Sequence, residues 1–248
     1  MSYRGGPVPV IALKSIDFAV MPGEIVAVVG PSGCGKSTLL RCILGLVQPT
    51  TGSVLIDGVA PDVARKRGTI GAVFQDTALV EWATVRHNIA LPLHFRSVRK
   101  RNTAHKEVDT VLEMTGLVAF AEFKPNALSG GMKQRVSIAR ALAANPTLVL
   151  CDEPLGALDV LTRMRVTVDL SKWLRERHVT SVIVTHSVDE AVFLADRVCI
   201  MSSRPGCIIE ERPIQPWPER NESLFESTEF LAVAAELRHS LMRAWTNA

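Results

Sequence analysis

Residues 25–40 of the chain read IVAVVGPSGCGKSTLL and contain its strongest local pattern. Ile25–Val29 is a short apolar run that predicts a buried strand. The turn at residues 30–37 fits the pattern G-x-x-x-x-G-K-[ST], and apolar residues at helical spacing follow it over residues 39–47. Glycines let backbone N–H groups curl around an anion at a helix N-terminus. The segment therefore predicts a phosphate-binding loop, in which Lys36 reaches the β- and γ-phosphates of a nucleotide and the Ser37 hydroxyl ligates Mg²⁺.

Along the rest of the chain, short apolar runs alternate with helical patterns. Strands are predicted at residues 53–56, 70–74, 148–151, 182–185 and 198–201. Residues 84–145 show few strand signals and at least two helical patterns, which indicates a helical insert between two strand-rich halves. Because strand–helix alternation is typical of a parallel sheet covered on both faces, we expect an α/β fold with a mostly parallel core sheet. A final apolar stripe predicts a terminal helix over residues 223–245.

Composition and charge exclude several classes of protein. The 248 residues are 47% hydrophobic and 21% charged, which argues against a disordered or fibrous chain. The net charge of +3 is weak for a duplex-binding domain, so no nucleic-acid partner is expected. The one basic run, residues 96–101, is interpreted as a solvated turn, with contact to phospholipid headgroups or nucleic acid as the alternative. The five cysteines form no C-x-x-C pair and no apolar run approaches ~20 residues, so neither a disulfide framework, a zinc site nor a membrane span is expected.

A second group of candidate residues follows the predicted strand at residues 148–151. Asp152 and Glu153 stand at its carboxyl end, where open parallel sheets bind nucleotides. We expect Asp152 to hold Mg²⁺ through water and Glu153 to polarise an attacking water. Two acids at a strand end are common and can be merely solvated. Together with the phosphate-binding loop, however, they predict nucleotide hydrolysis.

A third motif, LSGGM at residues 128–132, opens another predicted helix. Ser129, Gly130 and Gly131 form a second turn rich in N–H groups and thus a second candidate anion site. One active site does not need two phosphate cradles. We therefore expect the second cradle to serve a nucleotide that is held by another copy of the chain.

In this order, the motifs resemble the nucleotide-binding subunit of an ATP-binding cassette (ABC) transporter, from about Ala12 to Ile208. The resemblance implies a P-loop NTPase fold with a small N-terminal antiparallel sheet, ATP and Mg²⁺ as cofactors, and a head-to-tail dimer that sandwiches two ATP molecules. It also implies an ATPase domain over residues 1–210, with the helical insert at about 86–146. Residues 211–248 are then a C-terminal extension that carries the terminal helix.

The same resemblance assigns roles to individual residues. Glu153, His186 and Gln75 are the expected catalytic residues, with His186 contacting the γ-phosphate and Gln75 sensing both Mg²⁺ and the membrane partner. The expected metal ligands are Ser37, Gln75 and Asp152. The expected nucleotide-binding residues are Gly30, Pro31, Ser32, Gly33, Cys34, Gly35, Lys36, Ser37, Thr38, Ser129, Gly130, Gly131 and Asp159.

Further features resemble the ATPases of bacterial importers for nitrate, taurine and aliphatic sulfonates. They are LSGGM in place of the commoner LSGGQ, Trp82 ahead of Thr84, and MSSRPG at residues 201–206. This resemblance implies a peripheral place on the cytoplasmic side of the inner membrane, with two permease subunits near residues 75–93 and, indirectly, a solute-binding protein. The alternatives are a soluble mechanochemical ABC ATPase that acts on nucleic acid or the ribosome, and an ABC exporter.

Four positions depart from the family's pattern or invite a second interpretation. Tyr3, the only tyrosine, lies far ahead of Lys36; stacking on adenine is one hypothesis for it, whereas Phe18 is expected in the core. Met132 cannot hydrogen-bond as a glutamine does. Cys34 lies near a helix N-terminus, which predicts a reactive thiolate, with a shielded thiol as the alternative.

Overall fold

The computed structural model describes residues 1–3, 10–95 and 104–246. Its centre is a six-stranded sheet in the order β4-β5-β6-β3-β7-β8. These strands are β3 (Ile25–Val29), β4 (Ile70–Phe74), β5 (Leu148–Asp152), β6 (Thr180–Thr185), β7 (Arg197–Met201) and β8 (Ile208–Pro213). All neighbouring pairs are parallel except β7 and β8, which are antiparallel. The predicted α/β fold with a mostly parallel sheet is confirmed.

The predicted antiparallel sheet near the N-terminus is a two-stranded pair. Its strands are β1 (Ser2–Tyr3) and β2 (Val10–Ile11), and the Tyr3 backbone pairs with Val10. The predicted strand at residues 53–56 is wrong: the segment forms only an isolated bridge from Ile56 to Val59. Leu55 is 65% exposed in this segment. The apolar residues that suggested a strand therefore have no neighbouring strand, within the described residues, with which to pair. The basic run at residues 96–101 lies outside the described residues.

Helices cover both faces of the sheet. They are α1 (Lys36–Ile43), α2 (Pro61–Lys66), α3 (Val85–Ala90), α4 (Ala104–Met114), α5 (Gly130–Ala143), α6 (Val160–Glu176), α7 (Val188–Leu194) and α8 (Thr228–Thr246). The terminal helix begins later than residue 223 because Glu222–Glu226 forms a 3₁₀ turn and Ser227 Oγ then accepts from Phe230 N at 3.2 Å. No helix within the described ranges is long and apolar enough to cross a membrane.

The core divides along the two faces of β3. Val26 and Val28 belong to a cluster with Leu39 and Leu40 of α1, and half-buried Phe18 packs at its margin. The alternate residues of β3 face a larger cluster formed with α5, α6, α7 and α8. All five residues of β3 are buried, as expected for a parallel strand covered on both sides.

The helical segment between β4 and β5 has a core cluster of its own. Residues of α3, α4 and α5 build it, among them Ile89, Leu112 and Val136. Such a separate cluster supports a helical insert at about residues 86–146. The limits of that insert, and the division between residues 1–210 and 211–248, remain predictions.

Candidate nucleotide site

The site lies at the carboxyl edge of the parallel sheet. In the strand order, β6 separates β5 from β3, so three chain segments leave the same edge side by side. The loop at residues 30–37 follows β3, Asp152 and Glu153 stand at the end of β5, and His186 follows β6. Ligands of open parallel sheets bind beyond this edge.

The loop at residues 30–37 is shaped to hold an anion. Gly35 adopts φ +114°, and a Cβ there would lie 2.7 Å from Leu13 Cδ2 and 2.9 Å from Ala12 O, so only glycine fits. Gly35 is also the N-cap of α1 and offers no side chain to the first N–H groups of the helix. Lys36 Nζ donates to Gly30 O at 2.8 Å and to Pro31 O at 3.0 Å, which holds a buried cation within the loop. The loop therefore fits the phosphates of ATP.

A pair of oxygen donors links this loop to β5. Ser37 Oγ lies 3.1 Å from Asp152 Oδ1 and donates to it. Burial raises the pKa of Asp152 and the nearby Glu153 charge adds to the rise, whereas the Ser37 hydrogen bond opposes it. A hydroxyl and a partly desolvated carboxylate are hard oxygen ligands, which Mg²⁺ prefers. Ser37 and Asp152 thus fit the expected metal site.

Glu153 and His186 meet beside this pair. His186 Nδ1 lies 3.2 Å from Glu153 Oε2. Glu153 N donates to Val184 O at 2.8 Å, and its φ of +47° is uncommon for a residue other than glycine. Strained backbone of this kind is concentrated at functional sites. Gln75 Nε2 and Glu153 Oε2 lie 3.4 Å and 3.6 Å from the position of a Cβ on Gly156, so both side chains face one spot.

The remaining predicted residues form a second group at the starts of α5 and α6. Ser129 is the N-cap of α5, and its Oγ accepts from Met132 N at 3.3 Å. A Cβ at Gly131 would lie 2.6 Å from Thr162 Cγ2, so the LSGGM turn packs closely on α6. Asp159 caps α6 by accepting from Thr162 N, and this hydrogen bond lowers the pKa of Asp159. Ser129, Gly130 and Asp159 are solvent-exposed.

The prediction of a reactive thiolate at Cys34 is wrong. Cys34 is 1% exposed, and burial raises the pKa of its thiol above the ordinary value although the Lys36 charge opposes the rise. The helix N-terminus does not compensate for the loss of water around the sulfur. The thiol is shielded, which was the alternative interpretation.

Sequence reasoning missed three supporting residues. Arg140 donates to Thr77 O and Ala78 O, while Arg163 and Glu190 lie beneath the turns that carry Asp159 and His186. Half-buried arginines of this kind follow no helical or strand period, so no sequence pattern indicated Arg140 or Arg163. Glu190 had a signal, since Ser187-x-x-Glu190 matches a capping box. Ser187 Oγ indeed accepts from Glu190 N at 3.2 Å, yet the Glu190 carboxylate bonds elsewhere.

The fold and this site define a P-loop α/β nucleotide-binding protein. The family model described as ABC transporter matches residues 13–156, and the chain belongs to that family. It is 46% identical, over 82% of its length and 81% of the relative's, to an aliphatic sulfonates import ATP-binding protein of Pseudomonas syringae pv. tomato. It is 41% identical to the nitrate import ATP-binding protein of Synechococcus elongatus, over 94% of this chain and 36% of that protein.

Solved structures agree with these sequence comparisons. A dimeric ATP-binding cassette in a post-hydrolysis state, bound to ADP and Pi, superposes with a TM-score of 0.73 at 37% identity. The match covers 87% of this chain and 96% of that one. The predicted ABC ATPase fold is confirmed.

The burial of Cys34 makes a prediction for thiol labelling. Native protein treated with iodoacetamide near pH 8 should be modified at half-exposed Cys207 at least about tenfold faster than at Cys34, because alkylation needs an accessible thiolate. Peptide mapping by mass spectrometry measures both sites, and the denatured chain is the control in which the two rates converge. Equal labelling of native Cys34 and Cys207, with ATP protecting Cys34, would contradict the shielded thiol.

Proposed function

We propose that this chain is the ATP-hydrolysing subunit of a bacterial ABC importer for a small solute of the nitrate or sulfonate type. The observation that carries the proposal is the convergence of Lys36, the Ser37–Asp152 pair and the Glu153–His186 pair at one sheet edge. The named relatives are import subunits, which favours import over export or a soluble mechanochemical role. As such a subunit, the chain works peripherally on the cytoplasmic side of the inner membrane.

Nucleotide binding follows from the charge and shape of the loop. The Lys36 ammonium is held by two backbone carbonyls, and phosphate oxygens are stronger partners for it than those carbonyls. The first N–H groups of α1 add donors and a partial positive charge. Ser37 and Asp152 would hold Mg²⁺, which supplies neutralising charge to the phosphates when bound.

Hydrolysis is assigned to Glu153 and His186, with Gln75 beside them. The Glu153 carboxylate is the group that would accept a proton from the attacking water. His186 Nδ1, 3.2 Å from Glu153 Oε2, orients that carboxylate and leaves Nε2 to face the γ-phosphate. Gln75 faces the same spot, where its amide would ligate Mg²⁺ and respond to the membrane partner.

A second copy of the chain would complete the site. Ser129 and Gly130 form an exposed turn at the start of α5 with N–H groups free to bind an anion, and exposed Asp159 lies beside it. The matched cassette structure is a dimer with ADP and Pi, which supports the same assembly here. In a head-to-tail dimer, the LSGGM turn of one copy would cover the phosphates held by the loop of the other.

ATP-driven dimerisation tests this assembly. Glu153→Gln keeps the side chain's size but removes the proton acceptor, so ATP should convert this variant from monomer to dimer and ADP should not. Adding Ser129→Arg should abolish the dimer, because bulk and misdirected charge enter the second cradle, while ATP still binds the monomer. Light scattering in the presence of ATP and Mg²⁺ measures the oligomeric state of both variants. A dimer that forms equally well with Ser129→Arg would exclude the composite site.

The surface near residues 75–93 is the proposed contact with the permease. Trp82 is 81% exposed, which is unusual for a large aromatic side chain on a free surface. Its loop is held firmly: buried Asn88 donates to Val80 O, Ala83 O and Thr84 O. Since Arg140 holds the segment between Gln75 and this loop, a push at the surface can reach the site.

Replacement of Trp82 should weaken the contact with the permease without changing the nucleotide site. In membranes that contain two permease subunits of this transporter class, Trp82→Ala should weaken co-purification at least about tenfold, because an aromatic side chain that the interface would bury is lost. ATP binding by the free subunit should stay unchanged. Leu231→Ala, an exposed apolar residue of α8, is the matched control. Normal assembly of Trp82→Ala, with normal stimulation by a binding protein loaded with nitrate, taurine or a sulfonate, would contradict this contact.

A further inference from the structure

A buried carboxylate lies directly beneath the His186 turn. Glu190 is 5% exposed, and its Oε2 accepts from Thr185 Oγ1 at 2.7 Å. The same Thr185 hydroxyl accepts from Ser187 N at 3.0 Å. Because Thr185 and Ser187 flank His186 in the chain, one carboxylate fixes the backbone on both sides of that histidine.

Arg163 contacts a second turn of the site, at residues 155–158. Arg163 Nε donates to Leu155 O at 3.3 Å, and Arg163 Nη2 donates to Leu158 O at 2.8 Å. These carbonyls belong to the turn between Glu153 and Asp159. Arg163 Nε also lies 3.7 Å from Glu190 Oε1, so the guanidinium bridges that turn and the buried carboxylate.

The charges of this pair are coupled to the proposed catalytic residues. Burial raises the pKa of Glu190, while the Thr185 hydrogen bond and the charges of Arg163 and His186 oppose the rise and Glu153 adds to it. The carboxylate of this ion pair is buried and its guanidinium is half-buried. Burying charge in this way is a poor means of stabilising a fold, since apolar residues of similar volume often do as well or better. Arg163 contacts the turn at residues 155–158, and Glu190 contacts the turn that carries His186. These contacts indicate that the pair positions the two turns.

We propose that Arg163 and Glu190 are positioning residues that fix the turn at residues 155–158 and the His186 turn relative to one another. This inference rests on the proposed roles of Glu153 and His186 and on the proposed dimer. Contact of a second copy at Asp159 would shift the 155–158 turn, and the Arg163–Glu190 pair transmits that shift to His186. Full hydrolysis therefore depends on two charges that touch neither nucleotide nor metal.

Removal of one charge with little change of shape tests the inference. Glu190→Gln can still accept from Thr185, but it loses its attraction to Arg163. The purified full chain is assayed with ATP and Mg²⁺ at concentrations that support the ATP-dependent dimer. We expect kcat to fall at least about tenfold, because a small displacement of catalytic groups is costly. KM and monomer ATP affinity should stay within about twofold, since the phosphate-binding loop is untouched.

Further variants distinguish a positioning role of Arg163 and Glu190 from a general effect on the stability of the fold. Arg163→Ala should lower kcat like Glu190→Gln, and the double variant should be no worse than either alone, because the two residues act as one unit. Arg163→Lys keeps the charge but lacks the fork that reaches two carbonyls, so it should also lose kcat. It serves as the second probe if Glu190→Gln folds poorly. Asp169→Asn breaks another half-buried ion pair of α6, with Arg135, and should leave kcat within about twofold.

The outcomes distinguish this inference from the function it rests on. If Glu153→Gln is inactive while Glu190→Gln and Arg163→Lys keep full kcat, the positioning role is wrong and the proposed catalysis stands. Additive losses in the double variant, or losses matched by Asp169→Asn in proportion to the folded fraction, would also overturn it. If Glu153→Gln hydrolyses ATP normally, the proposed catalytic assignment itself fails.

Discussion

The parallel register of three neighbouring strands is the constraint on which the site depends. Val29 pairs with Thr185, and Val184 pairs with Asp152, so β3, β6 and β5 end at nearly the same level. The phosphate-binding loop, His186 and Glu153 therefore begin side by side without any long connection. A shift of one strand by a single residue would turn its side chains to the opposite face and separate these groups.

The sequence predicted what local chemistry requires. The loop at residues 30–37 was predictable because only certain residues allow its backbone, as the crowding around Gly35 shows. Asp152 and Glu153 were predictable because a buried apolar run ends in two acids. The strand order as a whole was not, since pairing between residues as far apart in the chain as Val29 and Thr185 leaves no local pattern. The strand predicted at residues 53–56 was wrong for the same reason, because an apolar pattern does not show whether a second strand lies beside the segment.

Burial accounts for the other differences. Position near a helix N-terminus favours a thiolate at Cys34, but loss of water around the sulfur outweighs it, and the sequence does not show how deeply the loop is packed. Arg163 was missed because its partners are backbone carbonyls and a carboxylate distant in the chain. The capping-box pattern at Ser187 and Glu190 pointed to a helix start, whereas the Glu190 carboxylate in fact accepts from the Thr185 hydroxyl. Ser129, Gly130 and Asp159 were each predicted to bind nucleotide, and the close packing of Gly130 on Leu158 and of Gly131 on Thr162 brings their two turns together. Such an incomplete second cradle agrees with a site shared between two copies.

Every role proposed for the site requires that Lys36 and its loop bind the phosphates of ATP, and titration calorimetry with ATP and Mg²⁺ measures that binding. We predict that Lys36→Ala weakens ATP binding at least about tenfold, or ~1.4 kcal/mol, because the buried cation in the loop is lost. Lys172→Ala, at an exposed lysine of α6, should bind ATP as the unmodified chain does. An affinity of Lys36→Ala within about threefold of that of the unmodified chain, a difference of less than ~0.7 kcal/mol, would mean that the loop does not bind phosphate through Lys36.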